Sequence, residues 1–105
     1  MNWLLQIETE LKRLQPNENP GRTRTIARRI AGVALKELYK SPGDDFLRLL
    51  HQASNDTALP ENIRSSSTRL GARLTSDFTS PSIDPLGDAK TIVEFVKKQL
   101  IMDNG

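Results

Sequence analysis

The sequence predicts an all-α fold, a single-domain bundle of about five helices formed by residues 1–105. In five segments the apolar residues recur at spacings of three and four, and no segment alternates with the period of two that is typical of strands. Proline or glycine interrupts the chain between segments. A chain of 105 residues suffices for one compact domain, and the stretches between its proline-rich loops are too short for a second core.

The first predicted helix covers residues 2–15 and ends before Pro16, which disfavours helical geometry in the residue before it. Its apolar positions follow spacings of four, four and three: Trp3, Ile7, Leu11 and Leu14. The second covers residues 24–40, with Thr23 or Thr25 as the N-cap. Its inner side carries Ile26, Ile30, Val33 and Ala34. At 100° per residue its outer arc carries Arg22, Arg28, Arg29, Gly32, Lys36 and Lys40.

The third predicted helix covers residues 42–54, because Ser41 fits an N-cap and Pro42 fits the first helical position. Asp44 completes a variant of the capping box, three residues after the cap. The fourth covers residues 60–76 and starts at Pro60, with an inner stripe of Ile63, Ser67, Leu70 and Leu74 that continues towards Phe78.

The fifth predicted helix covers residues 85–102, with Asp84 as its N-cap and Pro85 at its first position. Its inner positions are strongly periodic: Leu86, Ala89, Ile92, Val93, Val96 and Leu100.

Positive charge is concentrated in one part of a chain whose net charge is only +2. Residues 19–40 contain six basic residues and a single acid, Glu37. Because the apolar positions of the second helix fix its inner side, we expect the basic residues to form a stripe along its outer side.

Cations in the first turn of a helix, here Arg22 and Arg24, oppose the helix dipole, whereas an anionic partner would be attracted there. A second basic set, Arg64, Arg69 and Arg73, lies in the fourth helix. We therefore expect a binding module whose basic helix face engages nucleic acid or an acidic protein. The candidate residues for anion binding are Arg22, Arg24, Arg28, Arg29, Lys36, Lys40, Arg69 and Arg73. The competing explanation is a solvated face whose charges pair with Glu8, Glu10 or Asp44.

The stretch from Thr25 to Leu50, TIARRIAGVALKELYKSPGDDFLRLL, resembles the helix-turn-helix of TetR-type repressors over about a quarter of the chain. It departs from that pattern at three points. One extra residue precedes Gly32, Ala34 replaces a capping Ser or Thr, and the aromatic residue after Tyr39 is missing. Gly32 fits an unbroken helix, so we carry no functional residue over from that family.

We expect no enzymatic activity, no cofactor and no metal site. His51 is the only histidine, and we expect it to be a partly buried side chain that donates one hydrogen bond. The chain has no cysteine, so a thiolate metal site and a cysteine nucleophile are excluded. No apolar run approaches the roughly 18 to 20 residues that span a bilayer, and we expect a cytoplasmic protein without membrane contact.

The alternative function is a structural or protein-interaction bundle that homodimerises through apolar surface of its terminal helices. The stretch IVEFVKKQLIM, from Ile92 to Met102, has a broader apolar arc than a single buried stripe requires. A homodimer is therefore the second partner that the sequence suggests.

Overall fold

The structure, a computed structural model, describes residues 2–15, 19–72 and 82–104. It contains five helices: α1 (Asn2–Lys12), α2 (Pro20–Tyr39), α3 (Phe46–Ser54), α4 (Glu61–Gly71) and α5 (Pro85–Asn104). No strand occurs within these residues. The predicted all-α bundle is confirmed.

Helix α2 is the centre of the bundle and packs against each of the other four helices. Its inner side is buried from Ile26 to Leu35, apart from Arg28 and Arg29, and it is rich in alanine and glycine, which allow close approach of neighbouring helices. Helix α2 is the described helix nearest to α1, and the buried Trp3 and Ile7 of α1 belong to the common core. On its other side, α1 shares the walls of an apolar cleft with α5.

The predicted start and N-cap of α2 were wrong. The helix begins at Pro20, earlier than expected, and Asn19 is its N-cap because the Asn19 side chain accepts a hydrogen bond from the Arg22 backbone N–H at 2.8 Å. Thr23 and Thr25 do not cap it: their hydroxyls donate to the carbonyls of Asn19 and Gly21, one turn earlier. Proline at the first position and asparagine before it explain the start.

Helix α3 begins at Phe46, four residues later than predicted. Lys40 takes the left-handed conformation with φ 53°, and the Ser41 N–H donates to the Lys36 carbonyl at 3.0 Å, so Ser41 completes the end of α2 rather than capping α3. The actual N-cap is Asp45, whose carboxylate accepts from the Arg48 N–H at 3.1 Å. The predicted capping roles of Ser41, Pro42 and Asp44 were wrong.

The other helix ends differ from the predictions by smaller amounts. Helix α1 ends at Lys12 rather than at residue 15. Helix α4 ends at Gly71 because Ala72 is extended, with ψ 150°, and the predicted positions 73–76, together with Phe78, lie outside the described residues. The predicted cap of α5 is present: the Gly87 N–H donates to Asp84 Oδ1 at 3.0 Å.

Candidate anion-binding surface

The basic stripe predicted along α2 is divided near its middle. Gly32, expected on the outer side between Arg28 and Lys36, is buried. Phe46, the first residue of α3, lies against it, because a Cβ placed on Gly32 would overlap the Phe46 side chain. The outer side of α2 is therefore separated into an amino-terminal part and a carboxy-terminal part.

In the carboxy-terminal part, Lys36 forms an ion pair with Asp44. Its Nζ lies 2.7 Å from Asp44 Oδ1 at the surface, and 76% of the Asp44 side chain is exposed. Lys40 is exposed at the C-cap of α2. Only Lys40 in this part of the described surface thus presents a charge that no carboxylate offsets.

Arg29 is turned towards α1. Its Nη2 and Nε each lie 3.2 Å from Glu10 Oε1, and Arg13 Nη1 lies 3.6 Å from Glu10 Oε2. Glu10 is buried, with 5% of its surface exposed. A buried carboxylate needs a cation nearby, so the ion pair with Arg29 is what allows Glu10 to be buried on α1. The competing explanation, a solvated face whose charges pair within the bundle, predicts the ion pairs of Arg29 with Glu10 and of Lys36 with Asp44.

Arg28 joins α2 to the end of α4. Its Nε donates to the Leu70 carbonyl, and its Nη2 donates to the Ala72 carbonyl at 2.7 Å. These carbonyls are left without helical partners where α4 ends, so the guanidinium satisfies them. Burial lowers the pKa of Arg28, and the nearby charge of Arg24 lowers it further.

Arg24 lies one turn before Arg28 and is partly buried. Its Nε is shielded from solvent and has no hydrogen-bond partner within the described residues. No described carboxylate forms an ion pair with Arg24 or Arg28. We call these two residues the arginine pair. Arg22 lies exposed in the first turn, where no acidic residue is present to offset the helix dipole.

Within the second basic set, Arg69 and Arg64 lie in different surroundings: Arg69 is paired with Asp88, and Arg64 lines an open cleft. Arg69 binds Asp88 through two hydrogen bonds, Nη2 to Oδ1 at 2.7 Å and Nε to Oδ2 at 3.0 Å. The hydrogen bonds to Asp88 raise the pKa of Arg69. Arg69 thus links α4 to α5, and Arg73 lies outside the described residues.

Arg64 lines an open cleft of about 420 Å³ on the outer side of α4, together with Ser54, Glu61, Ser65, Thr68 and Arg69. The Arg64 Nε is shielded and has no hydrogen-bond partner in the part of the chain that the structure describes. Glu61 lies in the same cleft, so the cleft carries both signs of charge.

His51 is exposed rather than partly buried, and its Nε2 lies 3.3 Å from the Gly71 carbonyl oxygen. Within the described ranges, no three His, Asp or Glu side chains are grouped closely enough to hold a metal ion. None of the helices found there has the length and hydrophobicity needed to cross a bilayer. Among the described side chains, no nucleophile, base and orienting group are arranged together as a catalytic set.

No protein-family model, no curated protein and no solved structure matches the chain.

Proposed function

We propose that the protein is a non-enzymatic binding module that engages an anionic partner, nucleic acid in the first place, through the amino-terminal end of α2. The observation that supports this proposal is the arginine pair. Arg24 lies beside a second cation, Arg28, and no described carboxylate forms an ion pair with either. A phosphate placed between the two guanidinium groups would accept from both and would offset their mutual repulsion.

The local electrostatics favour an anion here over the rest of the predicted stripe. The first turn of α2 contains no acid, so the partial positive charge of its N–H groups adds to the charge of Arg24. Arg29 and Lys36 already have carboxylate partners, Glu10 and Asp44. We therefore expect these two residues to contribute little to binding.

Fluorescence anisotropy with mixed-sequence DNA and RNA fragments, titrated with salt, tests the proposal. We expect binding at low ionic strength and a linear fall of log K with log salt, because phosphate contacts release counterions. The variant Arg24→Gln should weaken binding and reduce the salt slope by about 1. Arg48→Gln, the same chemical change at an exposed position on α3, is the matched control and should bind like the wild type.

Three results distinguish this proposal from its competitors. Equal losses for Arg24→Gln and Lys36→Gln would show that the whole stripe binds, which contradicts the role of the arginine pair. Binding to polyglutamate but not to nucleic acid would identify an acidic protein as the partner. A lack of binding to either polyanion at low salt would leave the arginine pair as a structural feature of the bundle.

A further inference from the structure

The outward side of α5 carries a stripe of exposed residues, in which Glu94 forms a 3.8 Å ion pair with Lys97 of the same helix. Lys90, Glu94, Lys98 and Ile101 follow spacings of four, four and three and are all exposed. Ile101 is 59% exposed, and Met102 beside it is 73% exposed. Ile83, just before α5, is 98% exposed. Exposed large apolar side chains thus lie near the carboxy-terminal end of this helix face and in the residues just before α5.

Clefts border this stripe on both sides. An apolar cleft of about 290 Å³ separates α5 from α1, and its walls include Leu11, Leu86 and Val93. A cleft of about 550 Å³ separates α5 from the start of α4, and its walls include Ile63 and Phe95. Lys90 and Glu94 border both clefts, so α5 forms a ridge between two grooves. Lys90, Glu94 and Lys98 form an i, i+4 row of side chains, and such rows make the contacts between packed helices.

We propose that this face binds a second copy of the chain, with the two α5 helices antiparallel about a two-fold axis at the level of Ile92. In this arrangement Lys90 of each copy lies opposite Glu94 of the other copy, so two ion pairs form at once. Ile101 of each copy lies about 13.5 Å from the axis at 1.5 Å per residue, just beyond the level of Pro85, the first residue of the partner α5, which Ile83 precedes by two residues. A two-fold interface requires such reciprocal complementarity.

The charge order on α5 selects a second copy over other occupants. Glu94 lies between Lys90 and Lys98 on the stripe, so a polyanion that contacts the two lysines also meets a carboxylate. A foreign helix would have to present the opposite charges in the reverse order, with apolar residues at both ends. The antiparallel α5 helix of a second copy presents Glu94 to Lys90 and Lys90 to Glu94, while Lys98 lies level with Leu86 and gains no charged partner.

The contact is one helix pair with exposed charges at its centre, which is smaller than a standard protein interface. We therefore expect a reversible dimer with a dissociation constant on the order of micromolar to tens of micromolar. Sedimentation equilibrium of the full chain from about 1 µM to about 1 mM should show the mass rising from one chain to two.

Charge reversal provides the sharper test. Lys90→Glu alone, or Glu94→Lys alone, replaces both attractive pairs by repulsive ones and should weaken the dimer about tenfold or more. The double variant K90E/E94K restores both pairs with the signs exchanged and should recover the dimer. Circular dichroism and the fluorescence of Trp3 should show that each variant remains folded.

Leu5→Glu is the matched control, because Leu5 is 61% exposed on α1 but lies on the side of that helix away from Ile7. It should leave the dimer unchanged, whereas Ile101→Glu should weaken it. A mass of one chain at every concentration would overturn the proposal. So would a dimer that the single charge reversals leave intact, or one that the double variant fails to restore.

Discussion

Phe46 covers Gly32 so closely that a Cβ on the glycine would overlap the Cβ, Cγ and Cδ1 atoms of Phe46. This contact fixes the start of α3 against the middle of α2. It also divides the basic side of α2 into two parts. A residue without a side chain thus determines both the packing of the bundle and the extent of the candidate surface.

Replacing Gly32 by alanine should destabilise the protein, although alanine is favoured over glycine in a helix by about 1 kcal/mol. The new methyl group meets atoms near the Phe46 backbone, which cannot move away as the end of a long side chain can. Overpacking of this kind costs about 1–3 kcal/mol, so we expect a net loss of about 1 kcal/mol. Urea unfolding followed by circular dichroism measures it.

Gly43→Ala is the control, because nothing lies within 4 Å of the position that its Cβ would occupy. It should be neutral or slightly stabilising. A Gly32→Ala protein as stable as the wild type would contradict the close packing of Phe46 on α2.

The long helices could be predicted from the sequence because their signals are local. Periodic apolar residues and the Asp84-Pro85 pair place α5 correctly at its start, and the same periodicity identifies the inner side of α2. The start of α3 could not be predicted in this way. Ser41 and Pro42 form a good capping sequence for a following helix. Because Lys40 takes the left-handed conformation, the Ser41 N–H instead donates to the Lys36 carbonyl at the end of α2.

The candidate surface could be predicted only in part, for a related reason. The sequence shows that arginines collect on one side of α2, but it contains no distance between one helix and another. It therefore could not show that Phe46 buries Gly32 or that Arg28 binds the carbonyls at the end of α4. Glu10 and Asp44 could be named as competing partners because their charges are visible in the sequence.

Tyr39 should titrate well above its ordinary pKa of 10. Burial raises the pKa of Tyr39, and the hydrogen bond that its hydroxyl donates to Asp56 at 2.7 Å raises it further. Since the protonated form is favoured in the folded state, this contribution to stability is complete below pH 10 and is lost as pH rises through the folded-state pKa. Tyr39 is the only tyrosine, so ultraviolet absorbance of phenolate follows it directly.

In the variant Asp56→Asn, Tyr39 should ionise at a lower pH than in the wild type. The reciprocal variant Tyr39→Phe should raise the pKa of Asp56, which the hydrogen bond from Tyr39 now holds below its usual 3.8. It should also lower the free energy of unfolding, because the hydrogen bond to Asp56 is lost. Ordinary titration of Tyr39 in the wild type would contradict this hydrogen bond.

Arg29→Met should loosen α1 from the bundle. The substitution leaves the buried Glu10 without its nearer cation and removes an ion pair that ties α1 to α2, the described helix nearest to it. Because an unpaired buried carboxylate is costly, we expect a loss of about 1–3 kcal/mol. Trp3, the only tryptophan, is 6% exposed on α1, so its emission should shift to longer wavelength at lower urea than the loss of helix signal.

The double variant Arg29→Met with Glu10→Gln should recover part of this loss, since it removes the unpaired charge as well. Arg13→Gln is the control: Arg13 is 53% exposed and lies farther from the carboxylate. If Arg13→Gln and Arg29→Met shift the Trp3 transition equally, Arg29 does not hold α1 in the way we infer.

Asp88 should make the contact between α4 and α5 sensitive to acid. Its carboxylate accepts hydrogen bonds from Arg69, from Ser82 at 2.6 Å and from Ser66 at 3.3 Å. Burial by itself raises the pKa of Asp88, but the hydrogen bonds from Arg69 and the serines outweigh it and hold the pKa below 3.8. The ionised form is therefore the one that the folded state favours.

Because the folded-state pKa of Asp88 is lowered, its contribution to stability is complete above about pH 5 and is lost as pH falls below 3.8 through the folded-state pKa. Asp88→Asn should lower the free energy of unfolding by about 1–3 kcal/mol at pH 7, and the difference from the wild type should shrink towards pH 2. Asp44→Asn, at an exposed ion pair, should cost less than about 1 kcal/mol. Urea unfolding of the three proteins between pH 7 and pH 2 checks the convergence. Curves for the wild type and Asp88→Asn that stay parallel over this range would mean that ionised Asp88 does not hold α4 to α5.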